Sequence, residues 1–201
     1  METKDKILEA ALELFADRGY QAVSVSQIAQ AVGIRAPSLY KHYQSKQDIF
    51  EAILEKMQAQ YALQAEKLRF SGQDPQKDGP LFSSLPEDQL LQMVLGLFSY
   101  FLHDPWTARF RRMLTVEQFG NPELGKLYSE LYVDGPFNYQ REMFSLLFPG
   151  DGDLAALEFY SPIYLLLTLC DREPKREEEA LKMLTNHVRQ FCRCHQREEE
   201  R

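Results

Sequence analysis

Apolar residues recur at helical spacing along almost the whole chain. Between Thr3 and Arg18, Ile7, Ala11, Leu14 and Phe15 share one face, Asp5, Glu9, Glu13 and Asp17 fall elsewhere, and Gly19 closes the segment. Val25, Ile28, Ala29 and Val32 then predict a second, shorter helix. Ser24 stands at its start with Gln27 three positions on, the S-x-x-Q form of a capping box, in which each side chain satisfies a backbone N–H. Gly33 follows the last periodic residue, where a left-handed backbone lets the chain turn sharply. Ile34 returns to the core. Pro37 suits a first helical turn and disfavours helix at Ala36, so a third helix is expected to begin near Arg35 or Ala36 and to run to about Tyr43. Ser45 and Asp48 cap a long fourth helix, in which Phe50, Ile53, Leu54 and Met57 keep the period, reaching about Phe70.

Beyond it, Ser71 to Pro80 is dense in Gly, Pro and Asp and reads as a loop. Ser84, Pro86 and Glu87 mark a helix start, and the nearly all-apolar stretch from Leu90 to Leu102 predicts a helix buried on all sides. Asp104–Pro105 and Asn121–Pro122 each pair a capping residue with a proline suited to the first helical position; Gly135 and Pro136 should break or kink the later helix. Pro149 to Asp153 is a turn. From Leu154 to Cys170, 13 of 17 residues are apolar or aromatic and only Glu158 is charged, with a bend expected at Pro162. Pro174 opens a last helix whose Leu181, Leu184, Val188, Phe191 and His195 form a packing seam, with the neighbouring Lys-Arg-Glu-Glu-Glu run as its solvated face. The expected fold is all-α: an N-terminal three-helix helix-turn-helix domain (1–47) and a larger helical body (48–201), in which residues 48–70 form a connecting lever.

The third helix has an odd surface for mere packing. Leu39 is its one strongly apolar aliphatic residue, so Arg35, Ser38, Tyr40, Lys41, His42 and Tyr43 are left over. A helix fits the DNA major groove, and helix-turn-helix modules put the second helix of the motif there. Arg35 can donate two bonds to a guanine edge, Ala36 and Pro37 offer apolar contact to a thymine methyl, and Ser38 can donate or accept. Lys41, Lys46 and the hydroxyls of Tyr40 and Tyr43 suit phosphates, which position a protein without reading sequence. Ser26 and Gln27, at the start of the preceding helix, complete the candidate DNA-binding set, and His42 lies in its middle. From Gly33 to Lys46 there are three basic residues and no acidic ones.

At these residues the chain resembles the TetR family of bacterial transcriptional repressors, through Ile7, Ala11, Phe15, Gly19, Tyr20, Val25, Ile28, Ala29, Ala31, Gly33, Leu39, Tyr40, Tyr43, Lys46 and Phe50. The resemblance covers roughly the first quarter of the chain. It implies a homodimer, paired through the last two helices as a four-helix bundle, that binds a palindromic operator on double-stranded DNA and releases it when a small-molecule effector occupies the body. It also implies phosphate-contacting roles for Tyr40, Tyr43 and Lys46, and base-facing ones for Arg35 to Ser38 and for Lys41. Arg35 departs from the small or hydroxylated residue of many members, and Ser24 from the commoner threonine; the first bears on which base is read.

Charge sharpens this picture. Residues 1–50 hold six basic and six acidic residues, so the net charge of −7 lies entirely in the rest of the chain. An acidic body argues against indiscriminate coating of nucleic acid and for specific contact over a small basic footprint. The charged start, METKDKILEA, carries no apolar signal core, and the run Ile163–Cys170 is too short by itself to cross a bilayer; a cytoplasmic location without membrane contact is expected.

The body holds a belt of aromatic residues. Trp106, Arg109, Phe110, Met113, Tyr132, Tyr160 and Tyr164 are the candidates for an apolar effector pocket with a few polar anchors, although aromatics at helical spacing also serve as core. Cys192, Cys194 and His195 have the residue types of a metal or redox site, yet positions two apart on a helix point to nearly opposite sides. His103 beside Asp104 reads as a helix-end pair. No G-x-S-x-G elbow, phosphate-cradling glycine loop or H-E-x-x-H is present, so neither catalysis nor a cofactor is expected. The rival reading is a helical binding module for a small molecule or a protein partner, its N-terminal motif serving contacts other than DNA.

Overall fold

The periodicity resolves, in a computed structural model that describes residues 2–68 and 70–195, into eleven α-helices among the described residues and no strand. Their bounds are α1 Thr3–Arg18, α2 Val25–Val32, α3 Ala36–Leu39, α4 Lys46–Leu68, α5 Pro75–Ser84, α6 Glu87–His103, α7 Pro105–Glu117, α8 Pro122–Tyr132, α9 Asp134–Leu147, α10 Gly152–Arg172 and α11 Glu177–His195, the last preceded by a 3-10 turn, Pro174–Arg176. The acidic run after residue 195 lies outside the described residues.

Two compact units emerge: residues 1–63 with 105–128, and residues 64–104 with 129–201. The division expected at residue 47 follows the helix-turn-helix motif, whereas packing adds most of α4, all of α7 and most of α8 to the N-terminal unit. In that unit Ile7, Phe15, Ile28, Leu39, Ile49, Ile53, Phe110 and Met113 are buried. Edge-on contacts of Phe15 with Tyr20 (5.1 Å) and of Tyr20 with Phe50 (5.3 Å) lead to a stacked Phe50–Phe110 pair at 5.8 Å. Aromatic pairs of this kind contribute about 0.5–1.5 kcal/mol beyond their buried area.

The second unit closes around Phe82, Phe98, Phe144, Phe159 and Phe191, with Phe159 and Phe191 only 4.8 Å apart. Helix α11 turns Ala180, Leu184, Val188, Phe191 and Cys192 inward, so the seam seen in the sequence is largely satisfied within its own chain. On α10 the inward face is Ala155, Ala156, Phe159, Leu166, Leu167 and Cys170, while Leu154, Leu157 and Leu165, together with Met183 of α11, stand 49–63% exposed. By length and composition α10 could cross a membrane, with a mean hydropathy of 1.3 over its best window, so the limit set by the short run Ile163–Cys170 does not hold for the whole helix. Packing of its inward face in this core, a third of that window, gives part of its apolar character another explanation.

Four expectations are corrected. The α-helix of α3 stops at Leu39 rather than near Tyr43; tighter turns continue it, with His42 N–H on the Leu39 carbonyl at 2.8 Å and Tyr43 N–H on the same oxygen at 3.1 Å. The loop from Ser71 ends at Asp74, whose carboxylate caps α5 by accepting from Lys77 N–H at 3.2 Å, with Pro75 in the first turn and Pro80 carried inside the helix. Ser84 ends α5 instead of starting α6, which opens at Pro86 without a side-chain cap. Helix α6 is buried along the stripe Leu90, Leu91, Val94 and Phe98 and not on all sides.

Candidate DNA-binding interface

The helix-turn-helix is framed by three local devices. The Ser24 hydroxyl accepts from Gln27 N–H at 3.3 Å while Gln27 Oε1 accepts from Ser24 N–H at 2.8 Å, closing the capping box of α2. Gly33 takes φ +76° and ψ 26°, and Ile34 N–H reaches the Ala29 carbonyl at 3.0 Å, so the carbonyls at the end of α2 are satisfied as the chain turns. Arg35 is extended, and its carbonyl accepts from Ser38 N–H at 2.8 Å and Leu39 N–H at 3.3 Å, launching α3.

Leu39 is fully buried and pins α3 to the unit. Around it Arg35, Pro37, Ser38, Tyr40, Lys41 and His42 are exposed, and Ala36 and Tyr43 are half-buried. Ser26 is exposed beside them. Gln27 is half-buried, with its carbonyl oxygen committed to the cap. Burial, together with Asp5 and Glu55, raises the phenol pKa of Tyr43, so its hydroxyl is a proton donor at neutral pH. Arg35 and Ser38 stand at the start of α3 and Lys41 one turn on. A surface of hydrogen-bonding heads and two cations, around a single buried anchor, can meet base edges and phosphates together.

Lys46, expected at a phosphate, has its ammonium engaged with the protein backbone in the DNA-free chain. Its ammonium donates to the carbonyls of Tyr20 at 2.8 Å and Val23 at 2.9 Å, with a longer approach to Gln21 O at 3.4 Å, and sits 4.4 Å over the Tyr20 ring. Burial pushes its pKa down and Glu117 pulls it back up. At the start of α4 the Ser45 hydroxyl bonds Asp48, and Asp48 also accepts from Gln44 N–H at 3.0 Å; both hold its carboxyl below the ordinary value.

A family model described as bacterial regulatory proteins of the TetR family matches residues 7–53, the segment that contains this interface. Residues 7–53 thus carry a DNA-binding domain of the TetR type. The TetR-type segment is 40% identical over 55 residues to the HTH-type transcriptional activator FasR of Mycolicibacterium smegmatis, covering 27% of this chain and 25% of the relative. It is 44% identical over 48 residues to IcaR of Staphylococcus aureus, the negative transcriptional regulator of the biofilm operon icaADBC, covering 24% and 26%. The match therefore spans about a quarter of these curated relatives, which are by name regulators of transcription. Over nearly the whole chain the fold resembles two solved structures. The fatty acid degradation regulator FadR of Bacillus halodurans has a TM-score of 0.60 and 20% identity, covering 95% of this chain and 94% of that one. The SmeT–triclosan complex has a TM-score of 0.63 and 18% identity, covering 96% and 91%. The likeness in fold thus extends through the body, where sequence likeness has faded.

The candidate effector residues fall into both units. Trp106 is buried with the Lys56 ammonium 4.2 Å from its ring; Phe110 stacks on Phe50; Met113 is fully buried and Arg109 half-buried. Tyr132, Tyr160 and Tyr164 belong to the other unit, where the Tyr160 hydroxyl donates to the Tyr132 carbonyl at 2.7 Å and the Tyr160 and Tyr164 rings lie 6.3 Å apart. An open depression of about 300 Å³ is lined by Pro75, Gln76, Arg141, Glu142, Ser145 and Leu146, none of them in the expected set. His195 pairs with Glu158 at 3.0 Å, and its neighbour Cys192 is buried, its thiol pushed up to about 11.

Four buried polar residues, Asp78, Thr107, Arg111 and Glu117, escaped sequence reasoning, and the partners of two of them bear on the fold. Glu117, at the end of α7, is buried against the loop between α1 and α2. Asp78, within the stretch read as loop, is fully buried and accepts from Ser71 N–H (2.9 Å), Gly72 N–H (2.8 Å), Ser71 Oγ (2.7 Å) and the Tyr139 hydroxyl (2.7 Å). An acidic residue in a polar segment carries no mark of burial; the one clue was Asp74–Pro75, which could have announced a helix there.

Proposed function

We propose that the protein is a sequence-specific transcriptional regulator that binds a palindromic operator as a homodimer and is released by a small molecule held in its body. The observation that carries the reading is α3 with its flanking turns: Arg35, Ser38, Tyr40, Lys41 and His42 are exposed around the buried Leu39, on a capped helix-turn-helix inside the TetR-matched segment. Residues 1–47 then form the DNA-contacting module, with Ser26 and Gln27 beside the recognition helix, and 48–201 the regulatory body. Ala36 and Pro37 face thymine methyls, and Tyr40 and Tyr43 approach phosphates.

The exposed Leu154, Leu157 and Leu165 of α10, with Met183 of α11, support pairing of the last two helices across a two-fold axis. A two-fold pair sets recognition helices about 34–36 Å apart, one turn of the duplex. Effector in the body would tilt α4 and move the pair out of register. The aromatic residues from Trp106 to Tyr164 support an apolar ligand, and FasR and IcaR, named as an activator and a negative regulator, leave repression as a choice made on the family's habit. The proposed location is the cytoplasm.

The test is selection of the purified protein against a random duplex library under reducing conditions, with the winning sites re-bound at several salt concentrations. Enrichment of a palindrome bound two chains per duplex, with steep salt dependence, is expected. A folded dimeric protein that enriches nothing would refute DNA recognition and favour the rival, a helical binding module.

A further inference from the structure

Between α1 and α2 the chain runs through Gly19, Tyr20, Gln21, Ala22 and Val23, and this short loop is gripped by opposite charges from two distant elements. From the first residue of α4, the Lys46 ammonium takes the carbonyls of Tyr20 and Val23 at 2.8 and 2.9 Å. From the last residue of α7, Glu117 Oε1 accepts the Gln21 N–H at 3.4 Å. Glu117 is only 9% exposed, and its carboxylate lies so close to the loop that a Cβ built at Gly19, itself at φ +83°, would stand 2.6 Å from Oε1. The loop carbonyls thus face a cation, one loop amide faces an anion, and the two charges act on each other.

Consequences for α2 and α3 follow from connectivity. Val23 is followed by Ser24, the cap of α2, and α2 reaches α3 through only Gly33, Ile34 and Arg35. Whatever fixes the loop therefore fixes where the recognition helix begins. Lys46 has spent its donors on backbone carbonyls, in a geometry that orders the protein and leaves its charge turned inward.

We infer that Lys46 and Glu117 are positioning residues for DNA binding, a clamp through which α4 and α7 set the α1–α2 loop and with it the recognition helix. The inference rests on the DNA-binding reading and changes one part of it: Lys46 is removed from the phosphate contacts, and Glu117, at the end of a helix far along the chain, is added to the residues that govern operator affinity. A displacement of α7 reaches the reading head through Glu117 without passing along α4.

Operator binding by Lys46→Met, Glu117→Gln and, as a reference, Lys41→Ala tests this, using the selected palindrome and a scrambled duplex of equal length over a salt series. Thermal melting and the bound fraction at saturation report folding. Lys46→Met and Glu117→Gln should each weaken the palindrome about tenfold, the scale of one lost charged hydrogen bond, with little change on the scrambled duplex. The slope of log K against log salt should stay at the wild-type value in both, while Lys41→Ala lowers it by about one. Amide exchange at residues 20–23, measured without DNA, should rise in both clamp variants. A fall of about one in the slope for Lys46→Met, with equal loss on both duplexes, would show a phosphate contact and overturn the inference. Wild-type affinity and unchanged loop exchange in Glu117→Gln would overturn it equally. If the wild-type chain selects no duplex, the DNA-binding reading falls, and loop exchange still decides whether the clamp exists.

Discussion

Asp78→Asn is the substitution with the most to say about how the body is held together. It preserves side-chain size and removes the charge from a fully buried carboxylate that receives four hydrogen bonds, from Ser71 N–H, Ser71 Oγ, Gly72 N–H and the Tyr139 hydroxyl. Burial alone would raise its pKa, but the donors from Ser71, Tyr139 and Gly72 outweigh it and hold the carboxyl below its ordinary value. Asparagine offers one acceptor oxygen and turns an NH2 toward donors. Bonds to a charged acceptor contribute roughly 1.5–3 kcal/mol each, so after partial relaxation of the loop the loss should be about 3 kcal/mol. For a chain of this length that lowers Tm by about 6–12 °C. A carboxyl whose folded pKa is depressed stabilises fully above its unfolded pKa of about 3.9 and loses that contribution as pH falls toward the folded value. The gap between wild type and Asp78→Asn should therefore narrow below about pH 4. Melts followed by far-UV circular dichroism at neutral and acidic pH read both effects. A variant melting within about 1 °C of wild type at pH 7, or a gap that stays constant down to about pH 3, would refute the reasoning.

Three further outcomes are expected. Arg35→Ala should cost roughly 1–3 kcal/mol on the selected operator and relax preference at one base pair per half-site; a uniform loss across all positions would mean that Arg35 reads no base. Removing the cap of α2 with Ser24→Ala should destabilise by about 1 kcal/mol, a shift of about 2–4 °C in a melt, and an unchanged Tm would deny the capping box any energetic role. The double variant Leu157→Glu, Leu165→Glu alters two side chains already exposed on one protomer. Its helicity should stay wild-type while sedimentation reports a monomer, and a retained dimer would place the interface elsewhere.

Much of the fold was legible because the chain writes its helix starts plainly. Asp104–Pro105, Asn121–Pro122 and Ser24 with Gln27 each mark a helix that begins within a residue of the signal, since a cap and a first-turn proline act through neighbours in sequence. The exposed face of α3 was legible for a related reason: one buried leucine among hydrogen-bonding residues is a local pattern. Glu117 was hidden because its partner lies 96 positions away, and Asp78 because one of its donors, Tyr139, lies 61 positions away while the others belong to a polar segment that reads as loop. The backbone partners of Lys46 were hidden for the same cause. A lysine beside a recognition helix looks free until the loop carbonyls of Tyr20 and Val23 are seen to surround its ammonium.

The backbone passes between the two compact units three times, within α4 and at either end of the segment 105–128. That interleaving limits how the protein can be recombined. A chimera that grafts residues 1–47 onto a foreign body would carry the reading head but leave behind Phe110, which stacks on Phe50, and Glu117. Exchange of DNA specificity between relatives therefore requires a two-piece transplant, in which the segment around 105–128 travels with the first helices.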